Sequence, residues 1–399
     1  MTDDDEGLDG STRAALRRFI MVWYFSSGAL MVGLVGPLRG SIQFEFGLGK
    51  AQFGVLIAVV QFLGSGLVLF AGPRLRKRNT IHLALAGLFL MGAGLTLCFA
   101  LPNVRGWLLG WAVMSMGASL GSIINNVSMR LWPRDRRKGV IVLHTSNSAG
   151  KVFGPLVAAL CLSTALLGWR GSFLVAGLFN IALFLVFFLT TRRMAPQFQP
   201  LPAAAGSLGF QVFRRSLYWK CILPFGLIAG AEAAFASLMP LYFLQRRGFT
   251  ASQASLLFSV HLCGILAGRL LAAFYGARLD SNVIIAACVL TGIFIFPALY
   301  ASSLWVFIPC LLLFGLCFSA TWPTYYSQAA RFLPHDLDML AYGAGLSNLT
   351  GMSLCVMGSS ILANWNFDLG VLSCVVIMAA VFVFYLLSPM SKNPPVETA

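Results

Sequence analysis

Apolar residues fall along this chain in long unbroken blocks, separated by short polar segments. Twelve runs can be marked, at 19–41, 51–72, 81–101, 105–130, 139–166, 171–191, 219–244, 252–275, 282–301, 304–328, 340–363 and 369–388. Each is long enough to cross the roughly 30 Å of bilayer hydrocarbon as a helix. A backbone in lipid has to satisfy every N–H and C=O within itself, so each run predicts a helix. Strands of a membrane barrel would read as short alternating segments instead, and these runs are continuous. The pattern predicts an all-α membrane protein, with twelve transmembrane helices in two pseudo-symmetric six-helix bundles.

The division into two comes from the longest internal polar segment, TRRMAPQFQPLPAAAGSLGFQVFRRS at 191–216, which is rich in Pro, Gly and Ala. It separates six runs from six. The expected parts are an N-terminal tail at 1–18, a bundle at 19–191, a linker at 192–218, a second bundle at 219–388 and a C-terminal tail at 389–399. An internal repeat supports the split. AQFGVLIAV at 51–59 aligns with SQASLLFSV at 252–260, pairing Gln52 with Gln253, Leu56 with Leu257 and Val59 with Val260. The same two runs end in GPRL and GARL.

Composition agrees. Hydrophobic residues make up 58% of the chain and charged ones 10%, against about 25% charged in an ordinary soluble domain. The net charge of +15 would suit a nucleic-acid binder, but its placement argues otherwise. With the N-terminus in the cytoplasm, twenty Lys and Arg fall in inner segments and six in outer ones, leaving Lys151 and Arg269 inside spans. This is the positive-inside bias, and it predicts a multi-pass protein of the cell membrane, a bacterial inner membrane, with both termini cytoplasmic. The lipid bilayer is then the expected partner, and nucleic acid is excluded. The start, MTDDDEGLDGST, is acidic and lacks the features of a cleavable signal. None of the nine cysteines forms a CxxC pair or stands beside a His at ligand spacing, so no metal and no cofactor is expected. No clustered nucleophile, base and orienting group appears, so the chain does not read as an enzyme. With no GxxxxGK[ST] loop, ATP is not the expected energy source.

The polar residues inside the runs carry the candidate chemistry. Of thirteen acids, only Glu232 lies deep in a run, the seventh. A charge at the centre of a membrane helix costs about 2.5–3.5 kcal/mol on insertion scales, so such an acid faces a cavity or a partner. Lys151 lies near the middle of the fifth run and Arg269 in the inner part of the eighth. His144, Asn147 and Lys151 recur at helical spacing and so line one face. His261 lies two turns before Arg269 and is expected on the same face. Asn125, Trp322, Tyr326 and Asn348 add polar or aromatic groups in the fourth, tenth and eleventh runs. Gly150 and Gly154 stand one turn apart, which suits close helix packing, and Pro155 removes a helix hydrogen bond and predicts a bend.

Several short elements, taken in order, resemble the major facilitator superfamily. The second run ends in Gly72-Pro73-Arg74-Leu75-Arg76-Lys77-Arg78, similar to that family's loop between helices two and three, although its usual Asp is absent here. Gly150-Lys151-Val152-Phe153-Gly154-Pro155 resembles its GxxxGP element, and Gly168-Trp169-Arg170 followed by Phe173 resembles another signature. Gly264, Gly268 and Arg269, then Asp280, resemble a third. The resemblance implies gating or packing roles for Gly72, Arg74, Gly150, Gly154, Pro155, Trp169, Arg170 and Gly268. It also implies a cavity lined by helices one, four, seven and ten, so that Tyr24, Asn125, Glu232, Trp322 and Tyr326, with Gln61, become lining candidates. Gly230-Ala231-Glu232 with Gly268-Arg269 is similar to the fucose–proton symporter branch, and the Gly-Arg pair also to monocarboxylate and oxalate carriers. The first and fourth runs lack the central acids of the symporter branch.

The expected function is a secondary active transporter that moves a small polar organic solute by alternating access. Lys151 and Arg269 against Glu232 leave a slightly positive interior, which favours an organic anion such as a carboxylate. Sugar–proton symport and efflux of a drug or metabolite by proton antiport are the alternatives. Protons or another ion are the expected coupling partner, and a monomer is the expected state.

Overall fold

A computed structural model describes residues 10–31, 33–75, 79–120, 131–132, 136–164, 166–191, 209–275, 285–286, 289–290, 300, 303–319, 321–333 and 336–387. Helices dominate it. Those of the first half are α1 (Gly10–Met31), α2 (Val35–Phe46), α3 (Lys50–Leu75), α4 (Thr80–Ala100), α5 (Val104–Ser119), α6 (Arg136–Ser163) and α7 (Gly168–Thr191). A short 3₁₀ helix, Gly209–Arg214, leads into the second half: α8 (Ser216–Arg247), α9 (Ala251–Tyr275), α10 (Leu304–Ser319), α11 (Thr321–Phe332), α12 (Leu337–Trp365) and α13 (Phe367–Leu387). Among the described residues, eight spans are long and apolar enough to cross a membrane, with α10 and α11 together counted as one. Most of the ninth run and the end of the fourth lie outside the described residues.

Helix ends depart from the hydropathy limits. The first run forms two helices rather than one, because the chain turns at Gly33 and Leu34 before α2 begins. Pro37 sits in the first turn of α2, where a missing N–H costs no helix bond. The tenth run holds α10 and α11, with residue 320 between them outside the described residues, and the two count as one span. Polar residues extend α1 well before the apolar limit: Arg17 donates from Nε to the Leu131 carbonyl at 2.9 Å and lies over the Trp132 ring. Hydropathy does not score an aliphatic stem that packs while its charged head finds a partner.

The repeat seen in the sequence is a repeat of structure. Gly47 ends α2 with φ of 63°, and Gly248 ends α8 with φ of 70°. Both take the left-handed conformation that favours glycine at a helix C-cap. Two residues later, the Gly49 N–H donates to Gln52 Oε1 at 2.9 Å, and the Thr250 N–H donates to Gln253 Oε1 at 2.9 Å. Each glutamine reaches back over the first turn of its helix, as in a capping box. Spacing along the chain is identical between Gly47 and Gly248, Gly49 and Thr250, and Gln52 and Gln253.

Within the first half, α4 packs on α5 and α7, and α1 on α6; within the second, α8 packs on α12 and α13, and α9 on α10. Two seams join the halves: α3 runs against α12, and α6 against α9. Since α3 and α9 are equivalent in the repeat, the two seams are equivalent too. A third contact, α2 on α8, closes the face of the molecule at which α2 ends, called here the distal face. The opposite, terminal face is the one from which α1 sets out. Backbones approach closely at the distal seam. A Cβ on Gly36 would collide with the Ala236 carbonyl, and one on Gly54 with the Ser360 side chain.

Candidate functional site

The polar stripe of α6 meets the second half near mid-membrane. Lys151 Nζ forms an ion pair and hydrogen bond with Glu232 Oε1 of α8. The two side chains are 9% and 17% exposed, so water screens the pair little. One helical turn toward the terminal face, Arg269 of α9 reaches the same stripe. Its Nη1 donates to the His144 carbonyl at 2.6 Å and to Ser148 Oγ at 2.5 Å. Its Nε donates to the Ser319 carbonyl at 3.1 Å. Arg269 is 3% exposed. Among the described residues its hydrogen-bond acceptors are all neutral oxygens, and the Glu232 carboxylate acts on it through space.

An aromatic wall adjoins these charges. The His144 ring packs on Trp322 with centroids 4.3 Å apart, and Trp322 stacks on Tyr326 at 5.2 Å and 11°. Trp322 Nε1 donates to Asn348 Oδ1 at 3.1 Å. Tyr24 lies edge-on to His144 at 6.2 Å. Asn147 Nδ2 donates to the Tyr24 carbonyl at 3.2 Å and is 3.4 Å from Ser27 Oγ. Lys151, Glu232, Arg269, His144, Asn147, Tyr24, Trp322, Tyr326 and Asn348 thus form one connected group between the halves.

The His261 ring packs among Phe235 at 4.6 Å, Phe314 at 5.7 Å and Phe258 at 5.9 Å, within electrostatic reach of Glu232 and Lys151. The remaining expected residues lie elsewhere. Gln61 is buried in α3. Asn125 lies outside the described residues, as do the side chain of Arg74 and the surroundings of Gly72. Gly150, Gly154 and Pro155 are buried in α6, which continues as helix through the proline. Gly268 packs α9 on α10, where a Cβ would meet the Leu316 carbonyl at 2.7 Å. Trp169 and Arg170 brace the first half at its distal face. Arg170 donates to Glu45 at 2.6 and 3.0 Å and to the carbonyls of Leu101 and Pro102 at 3.0 and 2.8 Å. The Trp169 indole N–H also donates to Glu45.

A family model described as Major Facilitator Superfamily matches residues 21–359. The chain belongs to the Major Facilitator Superfamily. As a member of that superfamily it is a non-enzymatic, multi-pass membrane transporter. Solved structures share the fold. A bacterial homolog of the human lysosomal transporter Spinster, inward-facing and unoccupied, has a TM-score of 0.69 at 15% identity, covering 96% of this chain and 97% of that one. FucP in the outward conformation has a TM-score of 0.70 at 19% identity, covering 94% and 99%. Another FucP structure, described as the E. coli fucose:proton symporter, has a TM-score of 0.68 at 18% identity. Comparison with curated proteins finds no match.

One residue of this Major Facilitator chain escaped the sequence reading. Arg39 counts by position as an outer-segment charge, yet it is completely buried. Its Nη1 donates to Ser237 Oγ at 2.6 Å, and its Nη2 to the Lys50 carbonyl at 3.1 Å and Ser360 Oγ at 3.3 Å. The signal was available: Arg39 lies inside the first apolar run, beyond Gly36-Pro37-Leu38.

Proposed function

We propose that this transporter moves a small polar organic solute, an organic anion carrying a carboxylate, by alternating access between two six-helix bundles at 19–191 and 219–388, joined by a linker at 192–218. The observation that carries this reading is the buried group at the seam. Lys151 and Arg269 bring two positive charges against the single negative charge of Glu232. A low-dielectric site with one cation in excess favours an anion.

In this mechanism the Lys151–Glu232 pair ties the bundles together while the site is empty. Removing one partner from a buried pair costs about 3–5 kcal/mol, so the pair opens only when a substitute arrives. A solute carboxylate supplies it, accepting from Lys151, while the nearby Arg269 charge adds to the attraction. Glu232, released from Lys151, then takes up a proton, which couples transport to a proton gradient. The aromatic wall of Trp322 and Tyr326 packs the apolar part of the solute. Arg and Lys residues cluster toward the terminal face, which supports a cytoplasmic location for both termini.

The test is uptake by proteoliposomes of a panel of monocarboxylates, dicarboxylates and neutral sugars, with and without an inward proton gradient. Carboxylate uptake that rises with the gradient is expected. Uptake of neutral sugars alone would overturn the anion reading. It would favour instead sugar–proton symport, the reading supported by the flat Trp322–Tyr326 stack and by likeness to a structure described as a fucose:proton symporter.

A further inference from the structure

Two arginines cross between the halves in opposite directions, and their bonding follows one scheme. Arg39 belongs to α2 of the first half and donates to Ser237 of α8 and Ser360 of α12 in the second. Arg269 belongs to α9 of the second half and donates to the His144 carbonyl and Ser148 of α6 in the first. Each also holds one backbone carbonyl of its own half, Lys50 for Arg39 and Ser319 for Arg269, both at 3.1 Å. They are 0% and 3% exposed. Arg39 lies toward the distal face and Arg269 toward the terminal side, with Lys151 and Glu232 between.

Two arginines that brace a single half, Arg170 and Arg246, each take a carboxylate of that half, Glu45 and Asp368. Across the seam both arginines meet only hydroxyls and carbonyls. This difference suits a contact that has to open. Parting a buried ion pair strands a charge on each side, whereas parting a guanidinium from a serine leaves a neutral hydroxyl that rebonds to water or to its own helix. The distal seam is also shaped to close tightly, since Gly36 of α2 and Gly54 of α3 offer no Cβ to the Ala236 carbonyl and the Ser360 side chain.

We propose that Arg39 and Arg269 are reciprocal latches, Arg39 holding the distal face shut and Arg269 the terminal side, so that each conformational turn releases one and keeps the other. Both are engaged in this structure. The latch scheme holds whatever solute the central site takes, so its failure and the failure of the anion reading are separable.

Amide hydrogen exchange of the full-length protein in lipid nanodiscs, read by mass spectrometry, tests it. Arg39→Gln is expected to raise exchange severalfold in 35–47, 233–243 and 354–363 and to leave 140–148 and 321–328 unchanged. Arg269→Gln is expected to give the opposite map. Should Arg39→Gln fail to fold, the paired acceptor variant Ser237→Ala with Ser360→Ala is expected to loosen the same distal segments, and Ser148→Ala to loosen the terminal ones weakly. Equal loosening of both faces by either arginine variant, or no change from the acceptor variants, would overturn the proposal.

Discussion

Lys151 and Glu232 each depend on the other for a partner inside the membrane. Removing either leaves the other without its direct partner, so single substitutions are expected to be harsher than the double one. Glu232→Gln and Lys151→Ala should each destabilise the protein by about 3–5 kcal/mol, with the double variant recovering a large part of the loss. Thermal unfolding of the purified single and double variants measures this coupling; additive losses would mean that the two side chains do not act as a pair. For transport, Glu232→Gln is expected to remove the response to a proton gradient, read in the same proteoliposome assay at several pH values.

The Arg170 brace makes a contrasting prediction at the same scale. Its pair with Glu45 is partly exposed, at 19% and 40% for the two side chains, so water weakens it, and Arg170→Ala is expected to cost ~1 kcal/mol or somewhat more through the lost backbone bonds. A modest drop in melting temperature with transport retained is the expected outcome.

Residue by residue, the sequence disclosed what sat alone in an apolar run. Glu232, Lys151 and Arg269 stood out because the membrane makes each of them costly, and the structure brings all three to one seam. Spacing was a poorer guide. Eight residues separate His261 from Arg269, which is about 2.2 turns and leaves the side chains roughly 80° apart around the helix. That rotation sets the His261 ring against phenylalanines while leaving it within electrostatic reach of Glu232. Arg39 was missed because its charge was counted toward loop topology.

Elements were legible where hydropathy and length decide them, and less so where the backbone turns within a run. The break ahead of Val35 leaves average hydropathy high, and the proline at 37 marks it only in retrospect. At this scale the fit of α2 against α8 sets the next prediction. Gly36→Val places a branched side chain against the Ala236 carbonyl, with no flexible group there to yield. Such a variant is expected to fold but to hold the distal seam apart, seen as raised hydrogen exchange across α2. Normal exchange there would show that α2 and α8 do not close on each other in the membrane.

The whole molecule was the most legible level. Twelve runs, a polar divide and a weak repeat suffice to predict two bundles of six, because lipid leaves a chain so few ways to satisfy its backbone. What the sequence withheld is which helices touch across the divide. The pairing of α3 with α12 and of α6 with α9 depends on the bundles' mutual orientation, which no local pattern encodes.

The matched corners at Gly47–Gln52 and Gly248–Gln253 have a practical use. Each is a short elbow whose amides are tied down on both sides, so it travels with its own bundle as a fixed landmark. Spin labels attached beside the two elbows would behave as masts on separate decks, and the distance between them would read the tilt of one bundle against the other.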